Sequence, residues 1–485
     1  MSISGALANA TSGLSATARR ADVVANNIAN ALTPGYARRD IVVSENILGG
    51  RGAGVSVDGV ARAADPALSR ERRSAEGVQG RDEVVASAYA SLNGALGEPD
   101  DPFSLFGQYQ NLETSLRSLA ETPESVPLQA QAVEAARVLA TTFNQLAATA
   151  RGARENADAE IARNVELVNS ALKEIEALNA NISQASAGGR DTAALMDQRK
   201  TLIDKISAII PVRELARGDG AVDIVTNEGV FLLAGTARKI EFTPKGVITS
   251  DLSLANGALS GLVIDGVEFT PGGGANVAAR QGRLAGLFEV RDSIIPKFQS
   301  QIDALARDVM ERFEGVDATS APGDPGLFTD GGAAFDPTKE LGLAGRLALN
   351  DAVDPSQGGA IWRIRDGLGA AAPGPAGKAD FIRTLLDSLT ARIAIPAGAG
   401  LSGDKSAADA AAGVASLVGV ARVTAEGNLA SSSARASAVI DAESSVTAVD
   451  SDQEMQKLIV IEQAFAANAR VLQTAQEMMR VLMEL

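Results

Sequence analysis

A glycine run, Gly398-Ala399-Gly400-Leu401-Ser402-Gly403, satisfies G-x-G-x-x-G. That pattern lets backbone N–H groups close on a pyrophosphate at a helix N-terminus. Glu426 stands about where a ribose-binding carboxylate would. Two features count against nucleotide chemistry. Pro396 sits in the segment that would have to be the preceding strand, and no alternation of buried strands and helices flanks it. Among 48 glycines a chance match is expected, so the run reads as a loop between helices. Gly272-Gly273-Gly274 has no Lys-Ser/Thr after it and reads as a turn. Paired acids occur at Asp100-Asp101 and at Asp450 and Asp452, each beside Pro or Ser. Carboxylates there favour a helix N-terminus electrostatically. A glycosidase dyad would need two such groups to converge in space, which spacing alone does not decide. There is no D-x-D-x-D-G calcium loop, no histidine and no cysteine. Thiol nucleophiles, histidine zinc ligands and Ser-His catalysis are therefore excluded. No catalytic, cofactor-binding or metal-binding residue is assigned.

The balance of charge points the same way. Sixty acids against 44 bases leave −16, a poor match to nucleic acid or an anionic membrane. Aromatics are only 4 %, which favours long helices packed through small side chains. The chain of 485 residues has room for two to four domains. Its first 18 residues are uncharged but broken by Ser2, Ser4, Asn9, Thr11, Ser12, Ser15 and Thr17, and Arg19 and Arg20 follow rather than precede them. Neither a membrane span nor a cleaved signal is expected there.

Both ends carry seven-residue periodicity. Ile3, Ala10, Thr17, Val24 and Ala31 form one series at the N-terminus, and Leu7, Leu14, Ala21 and Ile28 the other. Thr33-Pro34-Gly35 should stop that helix. Near the C-terminus Leu458, Phe465, Leu472 and Met479 repeat every seven residues, as do Ile461, Asn468, Ala475 and Leu482. Ser451 and Glu454 have capping-box spacing, so a helix is predicted to start near Asp452. Such narrow stripes need partner helices. Because they hold Ala, Thr and Asn, they should fray in a dilute monomer, up to about residue 40 and beyond about 445.

Between the ends, helices are predicted over about 103–120 and 125–150, with breaks at Pro123 and Pro127. Others are predicted along Ile161 to Ile182 ending at Gly188-Gly189, over Leu195 to Ile210, over 291–313 and 379–391, and in an Ala-rich stretch from 405 to 435. Residues 216–275 change character: Val263-Ile264-Asp265-Gly266-Val267-Glu268-Phe269 is a strand–turn–strand pattern. Residues 315–378 read as loops with short strands. The fold class predicted is mainly α with a small β insertion.

Two terminal segments carry a resemblance. GLSATARRADVVANNIANALTPGYARRDIVV (Gly13 to Val43) closely resembles the N-terminal motif of bacterial flagellar axial proteins (rod, hook and hook-associated), and EMQKLIVIEQAFAANARVLQTAQEMMRVLMEL (Glu454 to Leu485) resembles their C-terminal motif. The interior stretches FGQYQNLETSLRSLAETPESVPLQAQAVEAARVLATTFNQL, VELVNSALKEIEALNANIS, LMDQRKTLIDKIS and QGRLAGLFEVRDSIIPKFQSQIDALA resemble the hook-associated protein 1 family, the first of two junction components between hook and filament. One departure is Ser445 to Asp450, where the family's usual run is diverged.

The resemblance implies a non-enzymatic adaptor that self-assembles as a ring at the hook tip. It implies export through the flagellar type III apparatus without a cleaved signal, to an extracellular place in the flagellum. Residues 1–36 and 446–485 would pair as an antiparallel coiled coil lining the inner tube. Residues 37–215 and 276–445 would form a helical trunk, and 216–275 an outer β domain. Partners would be other copies, the hook protein, the second junction protein and an export chaperone on the C-terminal helix; nucleic acid, cofactors and membrane insertion are not expected. The assembly residues expected are Leu7, Leu14, Val24 and Ile28 with Leu458, Ile461, Phe465, Leu472, Met479 and Leu482. Asn26, Asn27 and Asn30 are candidates for intersubunit hydrogen bonds, with helix-end capping the other role for Asn30. The alternatives are a hook or distal rod component or, in another class, a nucleotide-binding or wall-hydrolysing enzyme.

Overall fold

The computed structural model describes residues 3–48, 51–98, 100–271 and 280–484. Gly272-Gly273-Gly274 lies outside them. The described chain is mainly helical, with small antiparallel sheets. In order it runs α1 (Ile3–Ala29), a hairpin of β1 (Arg39–Leu48) and β2 (Arg51–Arg62), α2 (Pro66–Leu96), α3 (Leu105–Glu121), α4 (Val126–Ala187) and α5 (Ala193–Ile209). Short strands follow: β3 (Val212–Ala216), β4 (Val222–Thr226), β5 (Phe231–Ala234), β6 (Thr236–Ala237), β7 (Ile240–Glu241), β8 (Val263–Ile264) and β9 (Val267–Glu268). Then come α6 (Arg283–Glu289), α7 (Ile295–Phe313), β10 (Phe328–Asp330), β11 (Leu347–Leu349), α8 (Arg363–Asp366), α9 (Asp380–Thr390), β12 (Ile393–Ala394), β13 (Asp404–Lys405), α10 (Ala407–Thr447) and α11 (Ser451–Met483).

The packing divides this chain into two units. One gathers residues up to Val78, Glu166–Ile240 and Ser432 onward; the other holds Gln79–Val165 and Glu241–Ser431. In the first, the sheet β3-β4-β5-β6 lies against the C-terminal part of α4. The Asn179 amide bonds both backbone groups of Val222, and Ile182, Ile203, Ile206, Ile224, Leu232 and Leu233 are buried. The β1–β2 hairpin packs on α1. Its Gly54 sits at φ +101° directly over Ser12, where any Cβ would meet the hydroxyl. Ser12 Oγ in turn accepts from Val55 N–H.

The second unit is built on α3, the N-terminal part of α4, α7 and α9. Tyr109, Leu112, Leu116, Phe143, Phe298 and Phe313 are fully buried there. Arg291, wholly buried, pairs with Asp158 at 2.6 Å and lies over the Phe288 ring. It sits in a π-turn, Val290–Ile294, where Ile295 N–H bonds back to Val290 O. Pro296 explains the widening, since it has no N–H for the normal i−4 bond.

Several expectations need correction. The predicted break at Pro127 does not occur, because Pro127 stands in the first turn of α4, where its missing N–H is harmless. α4 instead runs unbroken through the two helices read separately. α11 is capped by Asp450, whose carboxylate accepts from Asp452 and Gln453 N–H, so Ser451 is not the cap. The glycine motif at 398–403 follows a two-residue strand whose partner is the antiparallel β13, and Gly398 packs on Ser300 and Ala304 of α7. The βαβ context a dinucleotide loop requires is absent from this stretch. Two elements escaped prediction altogether, the β1–β2 hairpin and the 31-residue α2. Finally, Ala407–Met483 contains an 18-residue window of mean hydropathy 1.3, apolar enough by length and composition to cross a membrane. In α10 part of this apolarity serves the core, since Ala407, Ala410, Ala411, Val414 and Val418 are buried, while Leu417, Val420 and Val423 are exposed.

Candidate assembly interface

α1 and α11 pack side by side in antiparallel sense. Gly13 touches Asn468, and Asn27 bonds Glu454. Along each helix those two points are two heptads apart, in opposite directions. The covered faces are the ones with small and polar side chains. On α1 they are Ala10, Thr17, Val24 and Asn27; on α11, Glu454 and Ala475. Gly13 matters here because an added Cβ would lie 2.9 Å from the Asn468 amide. Small residues let the two backbones approach closely.

The expected assembly residues distribute unevenly. Val24 is buried, while Leu7, Leu14, Ile28, Ile461 and Leu472 are half-buried. Leu458, Phe465, Met479 and Leu482 are exposed, Phe465 at 47 % and Leu482 at 60 %. Ile459, Val460, Val471, Met478 and Val481 are exposed as well. Three of the four members of the heptad series with the larger side chains therefore face outward, Leu472 being half-buried, and Leu482 at the end of the other series is exposed as well. Asn26 is exposed and donates to Asp22 O within its own helix. Asn30 donates to Asn26 O and accepts from Thr33 Oγ1, which fits the helix-end role.

Asn27 does not fit the intersubunit role. It has no exposed surface, and its whole hydrogen-bonding capacity is used within the chain. Nδ2 donates to Arg39 O and to Glu454 Oε2, both at 2.8 Å. Oδ1 accepts from Tyr36 O–H at 2.8 Å and from Arg39 N–H at 3.0 Å. Lys457 donates to the other Glu454 oxygen at 2.6 Å. Arg39 stacks on the Tyr36 ring and pairs with Asp197, which also receives Arg62. Burial, reinforced by the charges of Asp197 and Glu454 and opposed by Arg39, pushes the Tyr36 phenol up. Glu454, Tyr36, Arg39 and Asp197 were missed as functional positions. Glu454 could have been found, since it lies one heptad before Ile461 in the Asn468–Ala475 series.

A second polar cluster lies in the same unit. Arg72 and Arg73 of α2 and Lys200 of α5 converge on Asp204, and Glu443 of α10 takes Arg72, Lys200 and the Ser69 hydroxyl. Burial alone would raise the Asp204 carboxyl, but Arg73, Lys200 and Arg72 hold it at about 2. An open cleft of about 630 Å³ beside α1 and α11 is lined by Val23, Ile41, Val460 and Ile461 with Arg20 and Lys457 at its edge. Among the described residues no group of His, Cys, Asp or Glu is arranged to hold a metal ion.

Three family models match the chain in order. Residues 7–36 match the flagella basal body rod protein model, 89–326 the flagellar hook-associated protein FlgK helical domain, and 445–485 the flagellar basal body rod FlgEFG protein C-terminal model. Flagellar hook-associated protein 1 of Bacillus subtilis (strain 168) is 25 % identical over 389 residues, 73 % of this chain and 75 % of that one. Its namesake from Escherichia coli (strain K12) is 25 % identical over 354 residues, 69 % of this chain and 62 % of that one. The Salmonella typhimurium namesake is 27 % identical over 247 residues, 49 % and 44 %. The matched stretch thus spans less than two thirds of the latter two. Among solved structures, the flagellar hook junction protein FlgK from Burkholderia pseudomallei aligns with TM-score 0.43 at 21 % identity, over 54 % of this chain and 47 % of that one. With the rod-type models at its two ends, the helical-domain model in its interior and these relatives over most of its length, the chain belongs to the hook-associated protein 1 family of bacterial flagellar axial proteins.

Proposed function

We propose that this chain is a structural subunit of the hook–filament junction, which assembles with copies of itself at the hook tip through the outward faces of α1 and α11. The observation that carries the reading is the exposure of Leu458, Phe465 and Met479, at seven-residue multiples along a 33-residue helix with Leu472 half-buried between them, and of Val460 and Leu482 on its other faces. Monomers rarely leave so many large apolar side chains of one helix in water. Like residues on neighbouring copies would cover it in a ring or helical array. In this reading residues 1–36 and 446–485 form an antiparallel coiled coil lining the tube, 37–215 and 276–445 the trunk, and 216–275 the outer β domain. The hook protein and the second junction protein are the axial neighbours. An export chaperone covers the C-terminal helix before the subunit leaves through the flagellar export apparatus. The interior match to a hook-associated helical domain favours a junction component over a rod or hook subunit.

Deleting the gene should give hooks without filaments, with filament protein lost to the medium, as seen by electron microscopy and blotting. Normal filaments in that strain would refute the junction role.

A further inference from the structure

α11 could offer α1 either of two heptad series. The series Leu458, Phe465, Leu472, Met479 is the more hydrophobic, yet the series Glu454, Ile461, Asn468, Ala475 is the one turned inward. The two are three residues apart, so a rotation of α11 by about 60° about its own axis would exchange them. On apolar burial alone, the exchanged arrangement should win. What opposes it is local. Rotation would pull Glu454 from Asn27 and leave a fully buried amide without one of its partners.

We propose that the Asn27–Glu454 pair sets the rotational phase of the terminal helix pair and so keeps the Phe465 series outward, available for contact with another subunit. A single buried polar pair deciding between near-equivalent helix packings is an established use of such groups. Asn27 is itself held on both sides, by Tyr36 O–H and by the Arg39 backbone, so it gives Glu454 a fixed target. The importance of an outward Phe465 series rests on the assembly reading; the phase itself does not.

The test uses the purified full chain, which has no cysteine of its own. Gly13→Cys with Asn468→Cys reports the observed phase, and Gly13→Cys with Phe465→Cys the rotated one. Phe465→Cys alone, with a maleimide, reports exposure. With Asn27 and Glu454 intact, the 13–468 disulfide should form faster and the maleimide should react readily. In an Asn27→Ala/Glu454→Ala background the 13–465 disulfide should overtake it, and labelling should slow by about tenfold, the effect of one buried hydrogen bond on an equilibrium. Glu454→Gln, which can still accept from Asn27, should retain the original phase. An unchanged disulfide preference in the double-alanine background would overturn the proposal. So would loss of both disulfides with fast labelling, since the pair would then be mere adhesive. None of these measurements requires assembly, so failure of the phase proposal and failure of the assembly reading remain distinguishable.

Discussion

α7 and α11 are both long amphipathic helices, and they face opposite environments. In α7, thirteen of nineteen residues are buried, including Phe298, Ile302, Leu305 and Phe313. In α11 only Glu454 and Ala475 are buried among thirty-three residues. The apolar residues of α7 are spent on its own fold, while most of those on α11 contribute little to the monomer. Apolar periodicity therefore shows where a helix wants a partner, and only packing tells whether the partner is in the same chain.

The largest effect that sharpens this contrast is a core truncation. Phe298→Ala should destabilise its unit by about 3–5 kcal/mol in denaturant unfolding. Phe465→Ala, on the half-exposed stripe, should cost under about 1 kcal/mol by the same measurement. Equal losses would erase the distinction between the two helices.

Acid should separate the two units next. Asp204 has its folded pKa at about 2, below the ordinary 3.8, so the stability it contributes is present above pH 4 and is lost as pH falls from 4 toward 2. Asp303, in the other unit, is the reverse case. Burial raises it to about 6 against backbone N–H groups of Ala344 and Gly342 that favour the charge. Its contribution is present below pH 3.8 and is lost as pH rises through 6. Each should amount to roughly 2–3 kcal/mol, from 1.36 kcal/mol per pKa unit. Unfolding followed at pH 7, 5 and 3 should show Asp303→Asn flattening the upper range and Asp204→Asn the lower. A single common acid transition, unaffected by either substitution, would count against these assignments.

How far the sequence disclosed this depended on how local each signal was. The terminal helices were legible because seven-residue spacing needs no tertiary context, although α1 ends at Ala29, short of the stop expected at Thr33-Pro34-Gly35. The Asp265-Gly266 turn was legible for the same reason, and Asp265 does adopt φ +51°. α2 was missed because its first half is charged and Gly77, Gly80 and Gly94 interrupt it, although Asp65-Pro66 was a usable start: the Asp65 carboxylate accepts from Ala67 and Leu68 N–H. The β1–β2 hairpin was masked by bulges at Val42/Val43 and Glu45/Ile47, which break the period-two alternation. Glu454 was read as half of a capping box, because local spacing satisfied that motif; its true partner, Asn27, lies 427 residues away.

The smallest monomer effect is expected where assembly is most affected. Limited proteolysis should nibble α11 from its exposed C-terminal half and stop short of Glu454, where Asn27 and Lys457 hold the helix start. Trimming that proceeds at the same rate through Glu454 to residue 445 would show that this anchor does not hold.

The central claim, that the outward face of α11 joins subunits, is tested most directly by electron microscopy of hooks from cells whose only copy carries Phe465→Asp. A carboxylate there would be desolvated at every repeat of an array, at several kcal/mol each, while the monomer leaves it in water. The account predicts bare hooks without filaments, with variant protein that unfolds within a degree or two of wild type. Normal filaments on those hooks, or a variant whose body no longer folds, would contradict it.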